Sequence, residues 1–239
     1  YTMPLPILES PKYVLSIPST GKSIEYRPFL VKEEKILLLA QEANNQIEMI
    51  SAIKDIINAC TFGIIDVNDL TSFDLEYIFL KLRAKSVGEI SNVRCKCEKC
   101  EAHNEISINI DEIKIVWPEN KIDNKIMLTD TVGVILRYIK IDDVSSIVNA
   151  ANEINIDTIT DMIIASIESI FDEKGVYKTN QTSKEELLSF VNSLNRSQIE
   201  KIENYIASAP KLQHSVNFTC NSCKNVNDIT LSGIQSFFE

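Results

Sequence analysis

Cys97-Glu98-Lys99-Cys100 and Cys220-Asn221-Ser222-Cys223 are two cysteine pairs of identical spacing, each set between short segments in which apolar and polar residues alternate. A C-x2-C turn presents two thiolates on one side of an ion, and a tetrahedral zinc takes four at about 2.3 Å. The flanks repeat as well. Val93-Arg94-Cys95-Lys96 precedes the first pair and Val216-Asn217-Phe218-Thr219 the second, so Val93 matches Val216 and Cys95 matches Phe218. Glu105-Ile106-Ser107-Ile108 and Asp228-Ile229-Thr230-Leu231 follow, again in register. Each half therefore reads as strand, knuckle, strand, and the two halves together as a zinc ribbon split by a long insertion.

Cys97, Cys100, Cys220 and Cys223 are the expected ligands. Cys95 offers an alternative ligand pair with Cys97, but its counterpart Phe218 is an inward strand position, so it reads as a small buried hydrophobe. Cys60 ends an apolar helical run and reads as a core thiol. His103 and His214 stand near the knuckles as alternate ligands, with solvated histidine as the plainer reading. Four thiolates close the coordination shell, whereas catalytic zinc keeps a position open. The expected Zn2+ is structural and contributes to folding.

A ribbon invites a nucleic-acid or transcription-regulating function, which is the alternative reading. The net charge of -10 over 239 residues opposes it, because phosphates repel an acidic chain that lacks a concentrated basic patch. Around the knuckles Arg94, Lys96 and Lys99 are offset by Glu98, Glu101 and Glu105. The longest apolar run, Ile36-Leu37-Leu38-Leu39-Ala40, is too short to span a bilayer. Neither a Ser, His and Asp set nor an H-E-x-x-H motif is present, so no enzyme and no small-molecule substrate is expected. Thr20-Gly21-Lys22-Ser23 looks like part of a phosphate-binding loop. Ser16 stands where its earlier glycine would be, and a strand follows where a helix is needed.

Working outward, residues 12–18 and 23–29 read as a hairpin turning at Gly21. Helices are expected over 31–44, 46–60 and 73–86, the last capped from Thr71-Ser72. Its basic side, Lys81, Arg83 and Lys85, reads as favourable charge near a helix C-terminus. Residues 113–117 and 125–128 read as strand, and 134–138 fits either period. From 142 to 208 the expectation is helical, over 142–153, 157–172, 184–194 and 197–208. Ser183 with Glu186 and Ser197 with Glu200 have capping-box spacing.

Met3-Pro4-Leu5-Pro6, Ile17-Pro18-Ser19-Thr20-Gly21-Lys22, the run from Tyr26 to Lys35 and the run from Phe73 to Gly88 resemble the baseplate hub assembly proteins of T4-like tailed bacteriophages. The likeness extends through both knuckles. It implies a non-enzymatic protein that builds or joins the central hub of a contractile-tail baseplate by contacts with other hub and tail proteins. It also implies the host cytoplasm during assembly, with the virion baseplate as a second location. Under that resemblance Tyr26, Arg27 and Phe29 become candidate partner contacts, as does the helix from Phe73; Tyr26 and Phe29 fit the hairpin core equally well. The expected fold class is α+β: a hairpin and helices over 1–90, ribbon halves over 91–116 and 212–239, and a mostly helical insertion over 117–211.

Overall fold

The computed structural model describes residues 8–43, 45–119, 122–150, 156–233 and 236. In chain order the elements are β1 Tyr13–Ser16, β2 Ser23–Tyr26, α1 Val31–Glu42, α2 Gln46–Cys60, α3 Ser72–Ser86, β3 Ile90–Lys96, β4 His103–Asn109 and β5 Lys114–Val116. They continue with β6 Lys125–Met127, β7 Gly133–Leu136, α4 Ile141–Ala150, α5 Ile156–Ser166, β8 Ile167–Asp172, β9 Gly175–Lys178, α6 Lys184–Asn192, α7 Arg196–Ala207, β10 Lys211–Thr219 and β11 Val226–Ser232. The fold is mixed α and β. It divides into two units: residues 1–67, 73–115 and 212–239 form one, and 68–72 with 116–211 the other.

In the first unit β1 and β2 form an antiparallel hairpin with Tyr13 opposite Tyr26. The strand that follows Gly21 and Lys22 confirms that no phosphate loop is built there. Alternation puts Ile24 and Tyr26 inside and their neighbours outside. Glu33 accepts from the Leu30 N–H at 2.7 Å and so satisfies a free donor at the start of α1. The Asn45 side chain accepts from Ile47 N–H at the start of α2. Helix α3 buries Leu75, Ile78, Phe79, Leu80 and Leu82. Its lysines have partners: Lys81 lies 3.1 Å and Lys85 3.3 Å from the Asp111 carboxylate.

Strands β3 and β4 pair antiparallel, as do β10 and β11, and β5 adds to β10. Leu80 and Ala84 of α3 join the inward residues of both hairpins, Val93, Cys95, Ile108, Val216, Phe218 and Leu231, in one core. That core carries the two knuckles.

In the second unit the sheet order is β6-β7-β8-β9, all antiparallel. Of residues 134–138, ambiguous in sequence, 134–136 lie in β7, where Val134 and Leu136 are core residues packed with Ile163, Ile167, Ile202 and Tyr205. Gly133 is required where the Phe171 ring of the next strand lies over its backbone, since a Cβ would collide with that ring.

The expectation of four helices and no strand between 142 and 208 is corrected here over residues 167–178. Helix α5 stops at Ser166, whose hydroxyl donates to Ile163 O at 2.6 Å, and residues 167–178 form the β8–β9 hairpin. Its turn is set by Asp172, whose carboxylate accepts from the N–H of Lys174 and Gly175 at 2.8 and 3.0 Å. The insertion is thus helix and sheet together. The last helix begins one residue earlier than expected, and its N-cap lies two residues earlier, at Asn195. Asn195 and Gln198 form its capping box, while Glu200 pairs with Arg196. The Ser183 and Glu186 box is present as expected. The part of the expected 142–153 helix beyond Ala150 falls outside the described residues.

Candidate metal centre

Each knuckle reverses the chain with one residue in the left-handed region at its end. Glu101 and Lys224, each four residues after the first cysteine of its pair, have φ values of 60° and 59°. The turns close identically. Glu101 N–H donates to Cys97 O at 2.9 Å and Lys224 N–H to Cys220 O at 3.0 Å, while Cys97 N–H reaches Ala102 O and Cys220 N–H reaches Asn225 O at 2.9 and 2.8 Å. The hairpin registers match as well: Val93 faces Ile106 as Val216 faces Ile229, and Cys95 faces Asn104 as Phe218 faces Asn227.

The two turns meet, and all four sulfurs lie within 4.8 Å of one another. Cys97 Sγ is 3.7 Å from Cys223 Sγ, and Cys100 Sγ is 3.6 Å from Cys220 Sγ. A disulfide requires about 2.05 Å. Four sulfurs about 2.3 Å from a central ion would stand about 3.8 Å apart along each tetrahedral edge. The two cross-knuckle distances are close to that edge, so the residues present fit a tetrahedral ion and the cluster could hold one.

The electrostatics agree. Cys220 is pulled down to about 6, first by the backbone N–H of Cys223 and then by that of Ser222 and the Asn104 side chain, against the cost of burial. The N–H groups of Cys100 and Lys99 draw Cys97 below the usual thiol range. At Cys100 the Ala102 N–H also lowers the pKa, but the surrounding thiols outweigh it and raise Cys100 to about 12. Part of the cluster is poised as thiolate, and like charge opposes ionising the rest without a positive ion among them.

Cys95 is 3% exposed in the core beneath the sheet, as its pairing with Phe218 indicated, and stands outside the sulfur cluster. His103 lies at the start of β4 and His214 within β10; among the described residues neither belongs to the cluster. Cys60 is fully buried, with a pKa raised to about 11 by burial.

Tyr26 and Phe29 lie elsewhere, in the chain's own interior, and Arg27 between them is partly buried. Tyr26 is 3% and Phe29 8% exposed, and the Phe29 ring stacks on Phe79 at 6.5 Å. The Arg27 guanidinium donates to Glu33 at 2.9 Å and to Pro28 O at 2.9 Å. Of the two readings the sequence left level, burial supports the core reading. Much of α3 is likewise interior.

Two side chains at the centre were missed in the sequence reading. Asn104 and Asn227, 2% and 1% exposed, each stand seven residues beyond the first cysteine of their own knuckle. The signal was available: with the halves in register, the same amide falls at the same inward strand position.

No curated protein and no solved structure matches the chain. Residues 10–239, nearly its full length and including both knuckles, match the family described as T4 bacteriophage base plate protein, and the chain belongs to that family.

Proposed function

We propose that this chain is a non-enzymatic assembly protein of the phage tail, building or forming part of the central hub of the baseplate through contacts with other hub and tail proteins. The observation that carries this reading is the family match over residues 10–239, which supports a structural role in the baseplate. Such a role places it in the host cytoplasm during assembly and in the baseplate of any particle that retains it. No described helix is long and apolar enough to cross a membrane. The charge of -10 disfavours nucleic acid as the partner and would steer the chain toward basic faces of other proteins.

Within that role Cys97, Cys100, Cys220 and Cys223 bind a structural Zn2+. Four thiolates suit zinc, leave no open position for substrate, and join segments far apart in sequence into a split ribbon. The metal's contribution is the folding of a docking body; the surrounding chain supplies the N–H groups that hold the thiolates.

Quantifying the protein by mass spectrometry in purified tails and in unassembled hub intermediates tests the role. A fixed small ratio to hub proteins in both would mark a structural component. Enrichment in intermediates with absence from tails would mark a transient assembly factor. Absence from both would overturn the proposal.

A further inference from the structure

We propose that Asn104 and Asn227 are the positioning residues of the metal centre, each reaching from its own hairpin to the opposite knuckle and holding the four thiolates together before an ion binds. The inference rests on the reading of the cluster as a metal site. Asn104 Oδ1 accepts from the N–H of Asn221, 2.9 Å away, and Asn227 Oδ1 accepts from the N–H of Glu98, 3.0 Å away. Each acceptor thus grips the residue directly after the first cysteine of the other pair. The second half of each amide is anchored at home: Asn104 Nδ2 donates to Ala102 O and Asn227 Nδ2 to Asn225 O, both at 3.0 Å. A flipped amide would set donor against donor and acceptor against acceptor, so these contacts fix both orientations.

The exchange is reciprocal and runs through no sulfur. It joins the two halves whether or not an ion is present, and it fixes the backbone on which Cys97 and Cys220 stand. An inward strand position would otherwise hold an apolar residue, as Cys95 and Phe218 do opposite these asparagines. A buried amide there satisfies N–H groups of the knuckle that would be left without partners as the halves close. Asn104 Nδ2 also lies 3.7 Å from Cys220 Sγ, adding a donor to one ligand.

Zinc affinity of the full chain, measured by competition with a chromophoric chelator, tests this in Asn104→Ala and Asn227→Ala. Asn92→Ala is the control, since Asn92 is exposed on the outer face of β3, where its Oδ1 accepts from the Ser107 hydroxyl at 2.7 Å, away from the knuckles. Each knuckle variant should bind zinc about 10- to 100-fold more weakly, the usual cost of losing a partner of the ligand shell. The control should bind as the parent does. With Co2+ in place of zinc, the d–d bands should shift in the two variants and not in the control. Unchanged affinity and spectra would overturn the positioning role alone; a parent protein that binds no zinc would overturn the metal reading as well. Should the variants fail to fold, amide hydrogen exchange on the metal-stripped parent decides. Slow exchange at Glu98 and Asn221 supports a pre-formed latch, and exchange as fast as in an open turn overturns it.

Discussion

The two knuckles share a backbone and differ in what supports them. Both use the same turn, the same left-handed residue four positions after the first cysteine, and the same buried asparagine seven positions after it. Around them the halves diverge. The β10–β11 hairpin is extended by β5, whereas β3–β4 is a two-stranded sheet. The second half fills its inward position with the ring of Phe218, and the first with the small thiol of Cys95. Cys100 is exposed, while Cys223 is half-buried. The turns and the strand register are shared, and divergence begins where packing around them differs.

The four clustered cysteines give the largest expected effect. Cys97→Ser and Cys220→Ser should each lower bound zinc and the thermal midpoint together, because structural zinc contributes on the order of 10 kcal/mol to folding in small zinc domains. Metal analysis and thermal unfolding check this. Full zinc in Cys97→Ser would break the equivalence of the halves and bring Cys95 forward as a substitute ligand.

A smaller difference should separate the inward residues. Phe218→Ala is expected to cost about 3–5 kcal/mol in denaturant unfolding, and Cys95→Ala about 1 kcal/mol, with zinc stoichiometry unchanged in both. Equal costs would show that the two hairpins share the core load evenly.

The smallest effect should be at the left-handed turn residues. Glycine relieves a steric cost of about 1–2 kcal/mol there and gives back about 0.5–1 kcal/mol in chain entropy. Glu101→Gly and Lys224→Gly should therefore each raise stability by about 0.5–1 kcal/mol. A loss in one and a gain in the other would show that the turns are strained differently.

The knuckles were legible in sequence because a fixed cysteine spacing and a two-residue alternation survive without any knowledge of packing. The hairpin at Gly21 and the helices from Val31 to Ser86 were legible for the same reason: their periodicity is local. Residues 167–172 were not. Ile167 and Ile170 continue the apolar spacing of α5, and a short apolar run fits either period. The turn formed by Asp172 and Gly175, followed by Val176 and Tyr177, was the local signal for strand. The start of α7 was misplaced because two pairs of suitable caps stand two residues apart, and only the hydrogen bonds of Asn195 and Gln198 choose between them. The asparagine latch was hidden for another reason. Its partners lie across the cluster, so its meaning exists only once the halves have met.

X-ray absorption at the zinc edge on the purified full chain tests the central claim most directly. Four sulfur scatterers at about 2.3 Å, with one ion per chain, are the predicted result. A shell containing nitrogen or oxygen, or a chain that carries no metal, would contradict it.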